Sequence, residues 1–138
     1  MEIILSKKEI KGIVKKYYKD YYNIKFCKVQ MEANSIKDKL KEIDLFHSED
    51  SYYNMRLNTK VTGLLVDRKG RNYRFESDLN EKSVSEIIKK HFASEYDLDN
   101  MKFEYSCSED TWSNQRMKFY FEHARFDLNK KAIKMLTK

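Results

Sequence analysis

Residues 6–31 read SKKEIKGIVKKYYKDYYNIKFCKVQM, and the hydrophobic period changes part-way along this stretch. At its start, Ser6 and Glu9 form a capping box, in which the serine hydroxyl and the glutamate carboxylate satisfy free backbone N–H groups where a helix begins. Apolar residues then recur at helical spacing, with lysines on the other side, up to Tyr21. Over residues 24–31 apolar and polar residues alternate, which is typical of a half-buried strand. The stretch therefore predicts a helix followed directly by a strand.

The rest of the chain continues this mixture of periods. We expect a helix over 35–46, a strand over 55–66, a hairpin turn over 67–70 with Gly70 at positive φ, and a returning strand over 71–76. Ser83 and Glu86 form a second capping box, which predicts a third helix through Phe92. Strands over 101–107 and 117–121 are expected to pair as a hairpin, and Asn129 caps a short final helix. These elements predict an α+β fold, an antiparallel sheet with amphipathic helices packed on it.

The order of elements also indicates two diverged copies of a helix-strand-strand unit. Residues 48–56 (SEDSYYNMR) align with residues 108–116 (SEDTWSNQR), with five of nine positions identical. The copies would span 6–77 and 81–138, with a helical insertion near 34–46 in the first. If the repeat is real, a pseudo-twofold site lies where the copies meet.

Composition favours one domain over residues 1–138. The chain is 41% hydrophobic, enough for a core, and its three glycines and lack of proline argue against linkers and glycine-rich phosphate cradles. We find no apolar run near the ~18 residues that span a bilayer and no secretory signal, so we expect a cytoplasmic protein without membrane contact. Cys27 and Cys107 are expected to be reduced thiols in strands.

The histidines carry no metal-binding or catalytic spacing. We therefore expect no enzyme activity, no metal site and no cofactor. His91 falls on the apolar stripe of its helix, which predicts partial burial. His123 and Glu122 are neighbours in a strand, so their side chains should point to opposite faces.

Three functional hypotheses follow, and the sequence favours the first. It is a non-enzymatic protein-binding adaptor or inhibitor, of the kind that a phage or mobile element directs at a host protein. Exposed aromatic and arginine side chains in the two similar Ser-Glu-Asp segments would anchor an unidentified protein partner. The predicted contact residues are Glu49, Asp50, Tyr52, Asn54, Arg56, Glu109, Asp110, Trp112, Asn114 and Arg116. Turn chemistry between two strands is the alternative interpretation of these segments.

The second hypothesis is nucleic-acid binding, which a net charge of +6 and a pI near 9.1 allow. Its residues would be the hairpin cluster Arg68, Lys69, Arg71 and Arg74 together with the lysine face of the first helix, Lys8, Lys11, Lys15 and Lys19. Binding of this type weakens steeply with salt. Acidic residues surround both clusters, which is why the sequence favours a protein partner.

The third hypothesis is a small-ligand binding or sequestering protein. Its pocket would lie between the two copies, lined by Asn54, Arg56, Asn114 and Arg116. These four residues are equivalent in pairs only if the repeat is real.

Overall fold

A computed structural model describes residues 1–36, 54–109 and 117–129 of the chain. In chain order the elements in these ranges are β1 (Glu2–Ser6), α1 (Lys7–Tyr22), β2 (Ile24–Ile36), β3 (Asn54–Val66), β4 (Asn72–Leu79), α2 (Glu81–His91), β5 (Leu98–Glu109) and β6 (Met117–Leu128). The predicted α+β class with antiparallel strands is confirmed.

The strands divide between two three-stranded sheets, ordered β1-β6-β5 and β2-β3-β4. The first sheet contains a strand that the sequence did not predict, β1, which pairs with β6 from Glu2 opposite Asp127 to Ser6 opposite His123. Its residues Glu-Ile-Ile-Leu-Ser do not alternate between polar and apolar, and β1 runs directly into the capping box of α1. Pairing with a distant strand is what makes this segment extended.

Both helices bury one apolar stripe and leave the opposite side exposed. In α1 the buried residues are Ile10, Ile13, Val14 and Tyr18. In α2 they are Val84, Ser85, Ile87 and Ile88. These stripes pack with buried side chains from both sheets, among them Val61 and Phe126, so one hydrophobic core joins the helices and the sheets.

Two predicted helix starts are wrong. The N-cap of α2 is Asn80, whose side chain accepts a hydrogen bond from the backbone N–H of Ser83 at 2.8 Å. The predicted cap, Ser83, lies inside the helix, because an earlier residue supplies the oxygen that the first turn needs. Ser35 and Ile36, expected to open a helix, continue β2. The remainder of that predicted helix, and the final helix after Asn129, lie outside the described residues.

Both halves of the chain contain a helix followed by an antiparallel strand pair, α1-β2-β3 and α2-β5-β6. This is the order that the internal repeat predicts, and duplication itself stays a prediction. Within the described ranges, neither helix is long and apolar enough to cross a membrane.

Candidate functional site

Most of the net positive charge of the protein lies on its two helices. Nine lysines and four acidic residues give α1 and α2 together a net charge of +5, out of +6 for the whole chain. The two helices contact each other, so these charges belong to one layer of the molecule. We call its solvent-exposed lysines the helical lysines: Lys8, Lys15, Lys16, Lys19, Lys82, Lys89 and Lys90.

The helical lysines are not neutralised by carboxylates of the described residues. Among residues 1–36, 54–109 and 117–129, no ion pair within 4.0 Å joins one of them to an acidic side chain. Lys90 instead places its Nζ 4.1 Å from the centroid of the Tyr21 ring, in cation–π geometry. Unpaired, exposed ammonium groups can exchange hydration and counterions for an external anion at little cost.

The predicted hairpin cluster behaves differently, because two of its three arginines are paired. Arg71 Nε donates to Asp67 Oδ2 at 2.8 Å, and Arg74 bonds Glu76 at 3.2 Å. Asp67 also accepts from the backbone N–H groups of Arg71 and Lys69. These hydrogen bonds, that of the Arg71 N–H foremost, hold the pKa of Asp67 below its usual value. The predicted turn is therefore confirmed, and Arg71 supports it.

A shallow groove of about 180 Å³ runs between the two helices. It is lined by Ile13, Lys16, Tyr17, Asp20, Tyr21, Ile87, Lys90 and His91. His91 is exposed there, which corrects the prediction of partial burial. It is the last residue of α2, beyond the last buried position at Ile88, where the core no longer covers the apolar stripe. Pockets for small molecules are usually larger, roughly 300–1,000 Å³, so the groove does not favour the small-ligand hypothesis.

Four tyrosines cluster at the C-terminal end of α1. Tyr18 is buried against Phe75, while Tyr21 and Tyr22 remain 58% and 49% exposed. Tyr17 contacts Tyr18, Tyr21 and Tyr22, with ring centroids between 5.0 and 5.9 Å apart. A hydrogen bond with Tyr22, and then burial, raise the pKa of Tyr17. The rings form one packed aromatic surface, of which two members face solvent.

A β-bulge follows this cluster at the start of β2. The pairing shifts between Lys25 and Lys28, so that Phe26 and Cys27 together lie opposite Gly63. Phe26 has φ +54°, a left-handed conformation that is rare for a bulky residue, and its side chain is 83% exposed. Burial raises the pKa of the half-buried Cys27 thiol. The Lys15 ammonium lowers this pKa and so offsets part of the rise.

Gly63 is required beneath this bulge. A Cβ at this position would stand 2.4 Å from Ile24 Cγ2 and 2.9 Å from the carbonyl oxygen of Lys25. Phe26 was not among the residues predicted from the sequence, although an isolated glycine within a strand pattern is the signal that indicates a bulge.

Most of the predicted protein-binding residues lie outside the described residues. These are Glu49, Asp50, Tyr52, Asp110, Trp112, Asn114 and Arg116. Asn54 and Arg56 begin β3, where Arg56 is exposed opposite Asn34, and Glu109 ends β5. Asn114 and Arg116, on which the small-ligand hypothesis also depends, are among the residues that the structure does not describe. Both hypotheses stay predictions.

One ionic cluster lies on the outer face of the β1-β6-β5 sheet. Glu104 contacts His123 and accepts a hydrogen bond from Arg125 Nε at 2.8 Å. Sequence proximity suggested only Glu122 as a neighbour for His123, whereas its partner is supplied by the adjacent strand. Among the described residues, no group of three or more histidine, cysteine or acidic side chains could hold a metal ion.

In comparisons with known proteins, no family model, no curated protein and no solved structure matches this chain. The function must therefore be argued from the residues of the chain itself.

Proposed function

We propose that this protein binds nucleic acid through the helical lysines of α1 and α2. The observation that supports the proposal is the contrast between the two basic clusters. Two of the four hairpin cations, Arg71 and Arg74, are bound to Asp67 and Glu76, whereas none of the seven helical lysines has a carboxylate partner among the described residues. Charge that is not used internally is available to phosphates.

The dimensions of α1 suit a phosphate backbone. Lys8, Lys15 and Lys19 are exposed along one side of this helix. From Lys8 to Lys19 the helix rises roughly 16 Å, at ~1.5 Å per residue. That length matches about five nucleotide steps at ~3.4 Å each along one strand of duplex. A row of lysines of this length can contact several phosphates at once without reading sequence.

A charge-reversal pair tests the proposal. Lys15→Glu/Lys19→Glu replaces two helical lysines with carboxylates, which repel phosphate. We expect the affinity for a fluorescent oligonucleotide to fall at least about tenfold at low salt. Fluorescence anisotropy measures this directly.

The matched control is Arg68→Glu/Lys69→Glu. It makes the same change in net charge, but at the exposed tip of the hairpin. Only charge in contact with phosphate releases counterions, so this variant should bind the oligonucleotide within about twofold of the wild-type affinity. Equal losses in the two variants would mean that net charge alone drives binding. Absence of binding at low salt would reject nucleic acid and direct the search to an acidic protein surface.

One observation keeps protein binding as a second candidate. The two Ser-Glu-Asp segments belong to the connections β2–β3 and β5–β6, which are the same position in each half of the chain. A paired interface built from both would use Tyr52 and Trp112 as its anchors. Capture of a protein partner that survives Tyr52→Ala/Trp112→Ala would eliminate this version.

A further inference from the structure

The bulge at Phe26 keeps a large apolar ring in water at a backbone conformation that opposes it. Phenylalanine is disfavoured at φ +54°, and the ring is 83% exposed, so it gains little from the core. Gly63 makes the bulge sterically feasible. Strained, exposed positions that the surrounding structure still enforces are typical of binding sites.

Phe26 lies close in sequence to exposed rings and is flanked by exposed cations. Lys25 and Lys28 flank it in β2, and both are exposed. Four residues before it, α1 ends at Tyr22, which is half exposed. The Lys15 ammonium lowers the pKa of the thiol of Cys27, the next residue along the chain, against the larger rise that burial causes. Exposed aromatic and cationic side chains are therefore interleaved along the chain from the end of α1 into β2.

A surface with both exposed aromatic rings and lysines should bind single-stranded and duplex nucleic acid differently. Duplex offers mainly phosphates to a lysine surface, because its bases are stacked inside. A single strand also exposes the faces of its bases, which stack on aromatic side chains while lysines follow the backbone. An exposed phenylalanine ring contributes to the second mode only.

We propose that the preferred ligand is single-stranded nucleic acid, and that its bases stack on Phe26 and on the exposed rings of Tyr21 and Tyr22. The inference rests on the proposed function, since the helical lysines supply the contacts to phosphate. Stacking supplies the preference for a single strand over duplex.

The test compares the affinities of each variant for a mixed-sequence single strand and for the duplex of the same length. Removing one stacking ring typically costs about five- to 150-fold per base, so Phe26→Ala should weaken single-strand binding by about tenfold or more and leave duplex binding unchanged. Phe26→Tyr, which keeps an aromatic face, should restore single-strand affinity. Tyr120→Ala is the control, because Tyr120 is a 52% exposed aromatic residue in the other sheet.

A second variant guards against a folding artefact. Phe26→Asn removes the ring and tolerates positive φ, so it should keep the bulge and still lose the single-strand preference. Wild-type protein that binds duplex as tightly as single strand would overturn the inference, and so would an equal loss of both affinities in Phe26→Ala. The Lys15/Lys19 variant should weaken both ligands. If it does so while Phe26→Ala changes neither, the proposed function stands and the single-strand inference fails.

Discussion

Gly63 shows how one residue determines the surface of this protein. Its missing side chain lets the backbone of Lys25 and the side chain of Ile24 approach β3, and this approach is what forms the bulge. The carbonyl oxygen of Lys25 is backbone and cannot rotate away from an added methyl group. A small substitution here should therefore alter the whole start of β2.

We expect Gly63→Ala to lower the free energy of unfolding by about 1–3 kcal/mol through steric overpacking. Urea denaturation measures the change. Gly12→Ala is the matched control, since nothing lies within 4 Å of a Cβ at this exposed helical position. It should raise stability by about 0.5–1 kcal/mol. Similar effects at both glycines would contradict the role given to Gly63.

Phe26→Asn should stabilise the protein while it weakens single-strand binding. Asparagine adopts the left-handed conformation more readily than phenylalanine, and the replaced ring is mostly in water. We expect a gain of up to about 1 kcal/mol in the free energy of unfolding. Thermal denaturation followed by circular dichroism provides the measurement. A clear fall in melting temperature would mean that the ring supports the fold.

Among the elements, α2 is fixed to both sheets by one carboxylate in its first turn. Glu81 Oε1 accepts the backbone N–H of Leu57 in β3 at 2.9 Å and contacts the hydroxyl of Tyr105 in β5. The pairing of β4 with β3 ends at Leu79 opposite Thr59, so the N–H of Leu57 lies beyond that end. Glu81 replaces the missing strand partner.

Glu81→Ala should lower the free energy of unfolding by about 2–3 kcal/mol, because it leaves a part-buried N–H and a hydroxyl without their acceptor. Chemical denaturation monitored by tyrosine fluorescence checks this value. On the same helix, Glu86 is exposed, and Glu86→Ala should change stability by less than about 0.5 kcal/mol. Equal effects would show that Glu81 acts through helix charge alone.

The same contact predicts a loss of stability in alkali. Burial, reinforced by Glu81, raises the pKa of Tyr105 above its usual value of 10.0. The neutral phenol is thus favoured in the folded state, so its contribution is complete below pH 10 and declines as pH rises above it. In Tyr105→Phe the free energy of unfolding should depend less on pH between about 9 and 11 than in wild type. Parallel pH profiles for the two proteins would contradict this.

The elements that sequence predicted well are those with a complete local signal. The capping box at Ser6 is present, with both hydrogen bonds formed, and α1 begins at the next residue. The turn at Asp67 to Gly70 is present as well. Failures arose where a distant partner decides the outcome, as for β1, which is extended because β6 pairs with it.

The candidate site was predicted only in part for the same reason. Helical periodicity identified the lysines of α1, and the hairpin arginines were equally evident as a basic cluster. Which cations are neutralised depends on side-chain pairs, such as Arg71 with Asp67 and Arg74 with Glu76, that hydrophobic periodicity does not specify. The exposure of Phe26 depends on the register between β2 and β3, which periodicity does not supply.

On the scale of the whole molecule, net positive charge is concentrated in the helices, which carry +5 of the chain's +6. In the described strands and their hairpin some charges are paired, as Glu104 is with Arg125 and Asp67 with Arg71, and others such as Lys25 and Lys28 are not. This concentration of net positive charge in the helical layer is the large-scale support for a polyanionic ligand.

The most direct test of nucleic-acid binding by the helical lysines is the salt dependence of single-strand affinity. We expect the logarithm of the association constant to fall linearly with the logarithm of salt concentration. In Lys15→Ala/Lys19→Ala the slope should be shallower by roughly one for each phosphate that no longer meets a lysine, whereas Arg68→Ala/Lys69→Ala should keep the wild-type slope. An unchanged slope in the helical variant, or an equal change in the hairpin variant, would contradict the assignment of the helical layer as the binding surface.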